Sequence, residues 1–110
     1  MPSFRRLANR LFMSTIFKAL SDPTRRRVLE LLRERPMTAG DLAAEFDVSK
    51  PTMSAHFAVL KEADLVEATK SGKTITYRIK LSVLEDALLG FAKAFGLGAG
   101  PTATDKEEPK

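Results

Sequence analysis

The chain has 110 residues, a formal net charge of +4, one histidine and no cysteine. That length fits one domain, and so small a core leaves much of its surface uncovered, which makes pairing with a second copy a natural source of stability. Lack of cysteine excludes disulfides and thiolate metal or redox sites, and His56 alone cannot build an imidazole cluster.

Hydrophobic residues make up 44% and charged residues 29%, the balance of a folded globular protein. The opening MPSFRRLANRLFMSTIF is interrupted by arginines and has no small-residue cleavage site, so it does not read as a secretory leader. No run reaches the roughly 18 apolar residues of a membrane span. A cytoplasmic protein is expected. Basic residues concentrate before residue 37 and again around Lys70, Lys73, Arg78 and Lys80, while the stretch between them is acidic overall.

The first helix is expected over about residues 4–20, with Leu7, Leu11, Ile16, Phe17 and Leu20 as its apolar positions. Residues 1–12 would be a helical extension of the domain proper, which spans 13–96. Ser21-Asp22-Pro23 supplies a cap and a proline for a second helix, which carries Val28, Leu29, Leu31 and Leu32 until Pro36 stops it. Thr38-Ala39-Gly40-Asp41 resembles a capping box opening a short third helix that ends near Phe46. Ser49 caps a fourth helix, which tolerates Pro51 in its first turn and places Met53, Phe57 and Leu60 at buried spacing.

The period then changes. Val66 and Ala68, then Ile75, Tyr77 and Ile79, alternate with polar residues around Lys70-Ser71-Gly72-Lys73, predicting a β-hairpin with a glycine and two lysines at its tip. Ser82-Val83-Leu84-Glu85 reads as a second capping box for a last helix carrying Leu84, Leu88, Phe91 and Phe95 on one side. Residues 97–110 form a polar, Gly/Pro-rich stretch expected to be a flexible tail.

Five helices with a basic hairpin after the fourth give a mainly α fold, in the order of a winged helix-turn-helix. Leu42, Ala43 and Phe46 would meet Val48 and Met53 to brace the fourth helix, and Asp47 would occupy the left-handed turn position that such motifs often give to glycine. With Met53, Phe57 and Leu60 inward, Pro51 and Ala55 point outward, Thr52 and Ser54 flank them, Lys50 marks the N-terminal corner and His56 lies at the boundary. A helix so displayed can lay its first turns along major-groove base edges. The candidate DNA contacts are Thr38, Ser49, Lys50, Pro51, Thr52, Ser54, Ala55 and His56, with Lys70 and Lys73 on the wing for phosphates.

Each has a plainer reading. Ser49 serves as a cap, Lys70 and Lys73 as solubilising charges, and His56 packs at a helix edge. Arg25-Arg26-Arg27 is a solvated face, or Arg25 is an intramolecular clamp. There is no nucleophile–base–acid set, no Gly-rich phosphate loop and no metal constellation, so neither an enzyme nor a cofactor is expected. The competing class is a winged helix used only for protein contacts.

FKALSDPTRRRVLELL, MTAGDLAAEF, DVSKPTMSAHFAVLKEADLV and SGKTITYRI together resemble the ArsR-type winged-helix repressors, and within them the SdpR-like autorepressor branch. The resemblance spans about residues 16–91. It implies a homodimer joined through the first and last helices, with Leu11, Ile16, Phe17, Leu20, Leu84, Leu88, Phe91 and Phe95 at the interface. It also implies a recognition helix over about residues 49–63 that reads a short inverted repeat in double-stranded DNA near a promoter. An unidentified effector or regulatory protein is left open as a further partner. The departures are equally clear. Where metal-sensing members place cysteines, this chain has Met37-Thr38-Ala39-Gly40, and its last helix offers only Glu85 and Asp86, so no metal site is expected.

Overall fold

The computed structural model describes residues 13–97. Helix α1 covers residues 13–20 of that range, so the expected extension over 1–12, Leu11 with it, and the tail beyond 97 lie outside the described residues. There follow α2 (Pro23–Glu34), the short strand β1 (Met37–Thr38), α3 (Ala39–Ala43), α4 (Lys50–Glu62), β2 (Val66–Ser71), β3 (Thr74–Ile79) and α5 (Leu81–Ala94). This is a winged helix-turn-helix whose wing is a three-stranded antiparallel sheet, ordered β1-β3-β2.

Capping chemistry sets most of the boundaries. Asp22 accepts hydrogen bonds from the amides of Thr24 and Arg25, and Pro23 opens α2 where no amide donor is needed. Thr38 accepts from the Asp41 amide at the start of α3, and Ser49 from that of Thr52 at the start of α4. The second capping box is not used. Helix α5 begins at Leu81, its N-cap position is Lys80, and no side chain caps it. The Lys80 amide donates to Leu65 O at 2.8 Å, and the Lys80 carbonyl accepts from Val83 and Leu84. The sheet end therefore delivers the chain into the helix before Ser82 could act.

The two longer helix ends share one device. After α4, the Asp64 amide donates to Lys61 O and that of Leu65 to Leu60 O; after α5, Gly96 donates to Lys93 O and Leu97 to Ala92 O. Both pairs form Schellman closures, which need a left-handed residue at the turn. Gly96 takes it at φ 71° and Asp64 at φ 61°. Asp64 is the one non-glycine residue with positive φ among those described, so Asp47 does not take the left-handed conformation expected of it. The turn before α4 needs no such residue, because α3 ends early at Ala43 and the chain loops out through 44–48.

Ile16, Ala19, Val28, Leu29, Leu32, Leu42, Met53, Phe57, Leu60 and Leu65 are among the buried residues of one core, to which the sheet contributes Met37, Val66 and Tyr77. Phe57 and Tyr77 rest ring against ring with centroids 4.6 Å apart, which ties α4 to the wing. Val48 departs from expectation. It is 40% exposed and does not complete the brace, which Leu42 and Met53 supply from within the core.

Candidate nucleic-acid interface

The first turns of α4 present Lys50, Pro51, Thr52, Ser54 and Ala55 to solvent, while Met53, Phe57 and Leu60 enter the core. The outward face is thus small, polar and cationic at one corner, a shape that fits the floor of a major groove. Ser49 is spent locally. Its hydroxyl donates to Thr52 Oγ1 at 2.9 Å and accepts from the Thr52 amide at 3.3 Å. Thr38 likewise accepts from Asp41 N at 3.0 Å, so its hydroxyl contributes to a cap before it contributes to any ligand.

Beside α4 stands the hairpin. Its two-residue turn is Gly72-Lys73, closed by the Ser71–Thr74 pair, and Gly72 at φ 63° is the left-handed first position of a type II′ turn. Lys73 therefore sits at the tip. Lys70 does not: it lies within β2 opposite Ile75, on the strand that leads to the tip. Lys80, by contrast, is engaged with Asp64 Oδ1 at 2.8 Å, and this bond raises the ammonium's pKa by more than partial desolvation lowers it. Lys50, Lys70 and Lys73 form no ion pair among the described residues. Among the described residues, then, one cation at the helix start and two on the wing are without an ion-pair partner.

His56 is engaged within the protomer. Its side chain is 14% exposed and turns toward α2, with Nδ1 3.0 Å from Arg25 Nη1 and Nε2 3.9 Å from Asp22 Oδ2. The clamp reading of Arg25 is the one this geometry supports. Periodicity put His56 at the boundary but could not say which neighbour would take it.

Between α1 and α5, Phe17, Phe91 and Phe95 stack edge to face with successive centroid distances of 4.6 and 4.8 Å. Phe17, Leu88 and Phe95 are exposed, Leu20, Leu84 and Phe91 half-buried. Ile16 does not join this face: at 2% exposure it belongs to the protomer's own core. The sequence missed Leu89 and Leu97, 63% and 64% exposed, which widen the apolar surface. Leu89 falls off the helical stripe that selected the others, so no periodic signal marks it. No group of three or more His, Cys, Asp or Glu able to hold a metal ion occurs among the described residues, and no helix there is long and apolar enough to cross a membrane.

Fold and exposed cationic helix start define a winged helix-turn-helix of the DNA-binding class. The helix-turn-helix domain family matches residues 20–69. The transcriptional repressor SdpR of Bacillus subtilis (strain 168) is 45% identical over 69% of this chain and 84% of its own length. Among solved structures, an ArsR family transcriptional regulator superposes with a TM-score of 0.72 at 31% identity, covering 78% of this chain and 94% of that one. A homodimeric winged helix-turn-helix DNA-binding domain from Mycobacterium bovis, a possible ArsR-family regulator, gives 0.65 at 26% identity over 96% of this chain and 94% of its own. The chain belongs to the ArsR family of winged helix-turn-helix transcriptional regulators and is not an enzyme.

Proposed function

We propose that this protein is a cytoplasmic transcriptional repressor that acts as a homodimer on a short inverted repeat near a promoter, its own among them. The observation that carries the reading is the α4 face: Lys50, Pro51, Thr52, Ser54 and Ala55 are exposed together, with unpaired Lys70 and Lys73 on the wing beside them. Thr52 and Ser54 have the reach and chemistry to bond base edges, Lys50 guanine or a phosphate, and the wing lysines phosphates of the flanking groove. A module devoted to protein contacts has no use for free cations at both the groove-facing and the wing positions. Repression is the activity named for the SdpR relative, and dimerisation that of the Mycobacterium bovis domain. The exposed aromatic end of the molecule supplies the dimer face.

Signal sensing does not run through a transition metal in this reading, because the chain lacks the N and S donors that such ions need in sets of three or four. An effector or partner protein is the alternative input. The test is a mobility-shift titration of the protein against the DNA upstream of its own gene and against a length-matched random duplex. A shifted complex at least about 1,000-fold tighter on the upstream DNA supports sequence-specific binding. Equal affinity for the two removes autorepression, and no binding to either removes the DNA reading.

A further inference from the structure

The Arg25 guanidinium stands where three helices meet. Its Nε donates to Ala19 O at 2.9 Å and its Nη2 to Lys18 O at 2.7 Å, both carbonyls of the last turn of α1, the second of which also accepts from the Ser21 amide and hydroxyl. Its Nη1 lies 3.0 Å from His56 Nδ1 in the middle of α4. A guanidinium has only donors, so Nδ1 is the acceptor and the ring proton sits on Nε2. Nε2 lies 3.9 Å from Asp22 Oδ2, beyond hydrogen-bond distance, and that carboxylate oxygen accepts from Thr24 N and Arg25 N at the start of α2. The end of α1, the start of α2 and the middle of α4 therefore meet at one polar cluster centred on Arg25.

From this we infer that Arg25 and His56 are positioning residues for DNA recognition, which fix the reading helix α4 against α1. Met53, Phe57 and Leu60 hold α4 by apolar packing, which resists separation but carries little directional preference about the helix axis. The Arg25–His56 hydrogen bond is directional, and a planar fork bound at three points gives it a fixed origin on α1. Helix α1 also carries Phe17 of the exposed aromatic face. In a dimer built on that face, the placement of α4 relative to α1 decides how far apart the two reading helices fall, against half-sites spaced about 34 Å. His56 thereby governs half-site spacing without touching a base.

The inference rests on the DNA reading above, and the experiment separates the two. The probe is the duplex that the wild type enriches from a randomised pool, compared with versions carrying one base pair more or fewer between half-sites. Wild type should discriminate against both altered spacings. His56→Ala and Arg25→Lys should lose about tenfold of that discrimination, while base preference within each half-site stays as in the wild type. His56→Asn, whose amide oxygen takes the place of Nδ1, should restore it; His56→Gln, which places its amide at the Nε2 position, should not. The Asn/Gln contrast decides the matter even if the alanine variant fails to fold. In the free protein, imidazole nitrogen shifts should report Nδ1 as unprotonated. A changed preference at a base pair inside the half-site of His56→Ala would make the residue a reader and sink the inference, as would unaltered spacing discrimination in Arg25→Lys. If the wild type enriches no duplex while the imidazole signature is present, the DNA reading itself fails.

Discussion

Two aspartates at helix junctions show how one residue type is used in opposite ways. Asp22 caps α2. Its partial desolvation would raise its pKa, but the amides of Arg25 and Thr24, with the Arg25 charge behind them, outweigh that and hold the carboxyl below its usual range. A carboxyl depressed in the folded state stabilises above the unfolded value of about 3.9 and loses that contribution as pH falls through the folded value. Acid melts should therefore show a loss of stability below about pH 3.9 that is smaller in Asp22→Asn, since the amide oxygen still caps but does not titrate. Identical acid profiles would count against the cap's role. Asp64 carries a left-handed strain, at φ 61°, for the sake of the Schellman closure that seats Leu65 in the core. Glycine removes that strain, roughly 1 kcal/mol for an ordinary side chain. The Lys80 pair it would sacrifice is solvent-exposed and screened, and contributes little. Asp64→Gly should thus melt close to wild type and Asp64→Ala about 1 kcal/mol below it, the reverse order refuting the account.

Among the elements, the helices were legible because caps and apolar spacing act within a few residues of each other. Asp22-Pro23, Thr38 and Ser49 mark starts that the fold uses, and Met53, Phe57 and Leu60 are buried as the period requires. Strand β1 was not legible: two residues carry no period, and Met37 and Thr38 become a strand only because Tyr77 and Thr76 of β3 lie opposite them. Ser82 failed as a cap for a similar reason, the Lys80–Leu65 hydrogen bond that starts α5 being remote in sequence. The same distinction runs through the site. Lys50, Thr52 and Ser54 were placed by the helix itself, whereas the fate of His56 depended on Arg25, 31 residues away. For the wing, Lys73→Ala should weaken operator and random DNA alike. With about 6–10 phosphates neutralised per dimer, the log–log salt slope should lie near −5 to −9 and flatten by about one unit for each phosphate left without its lysine. Ser54→Ala should instead cost roughly 1–3 kcal/mol on the operator and much less on random DNA. If both variants lose equally on the two duplexes, α4 is a phosphate anchor and its assignment as the reader is wrong.

At the scale of the molecule, the decisive feature is an apolar end that one chain does not cover. Phe17, Leu88, Leu89, Phe95 and Leu97 are all exposed on or beside α1 and α5, close to an aromatic stack that is itself only half-buried. Large apolar side chains left exposed in such number mark an interaction face in a globular protein. For the homodimer proposed above, a two-fold operator demands that the two α4 helices lie on a common side. Phe91 is a poor place to break the interface, because it packs against both Phe17 and Phe95 within the protomer, and Phe91→Asp would disturb the fold along with the dimer. Leu88 is better, since it lies on the same stripe and is 46% exposed in the single chain. Leu88→Glu should keep the helical content, shift light scattering from dimer to monomer at micromolar concentration, and abolish operator binding. Random-sequence affinity should survive at the level of a single subunit, with the salt slope roughly halved because each bound molecule neutralises half as many phosphates. A wild type that scatters as a monomer, or a Leu88→Glu variant that stays dimeric and binds operator normally, would place the interface elsewhere.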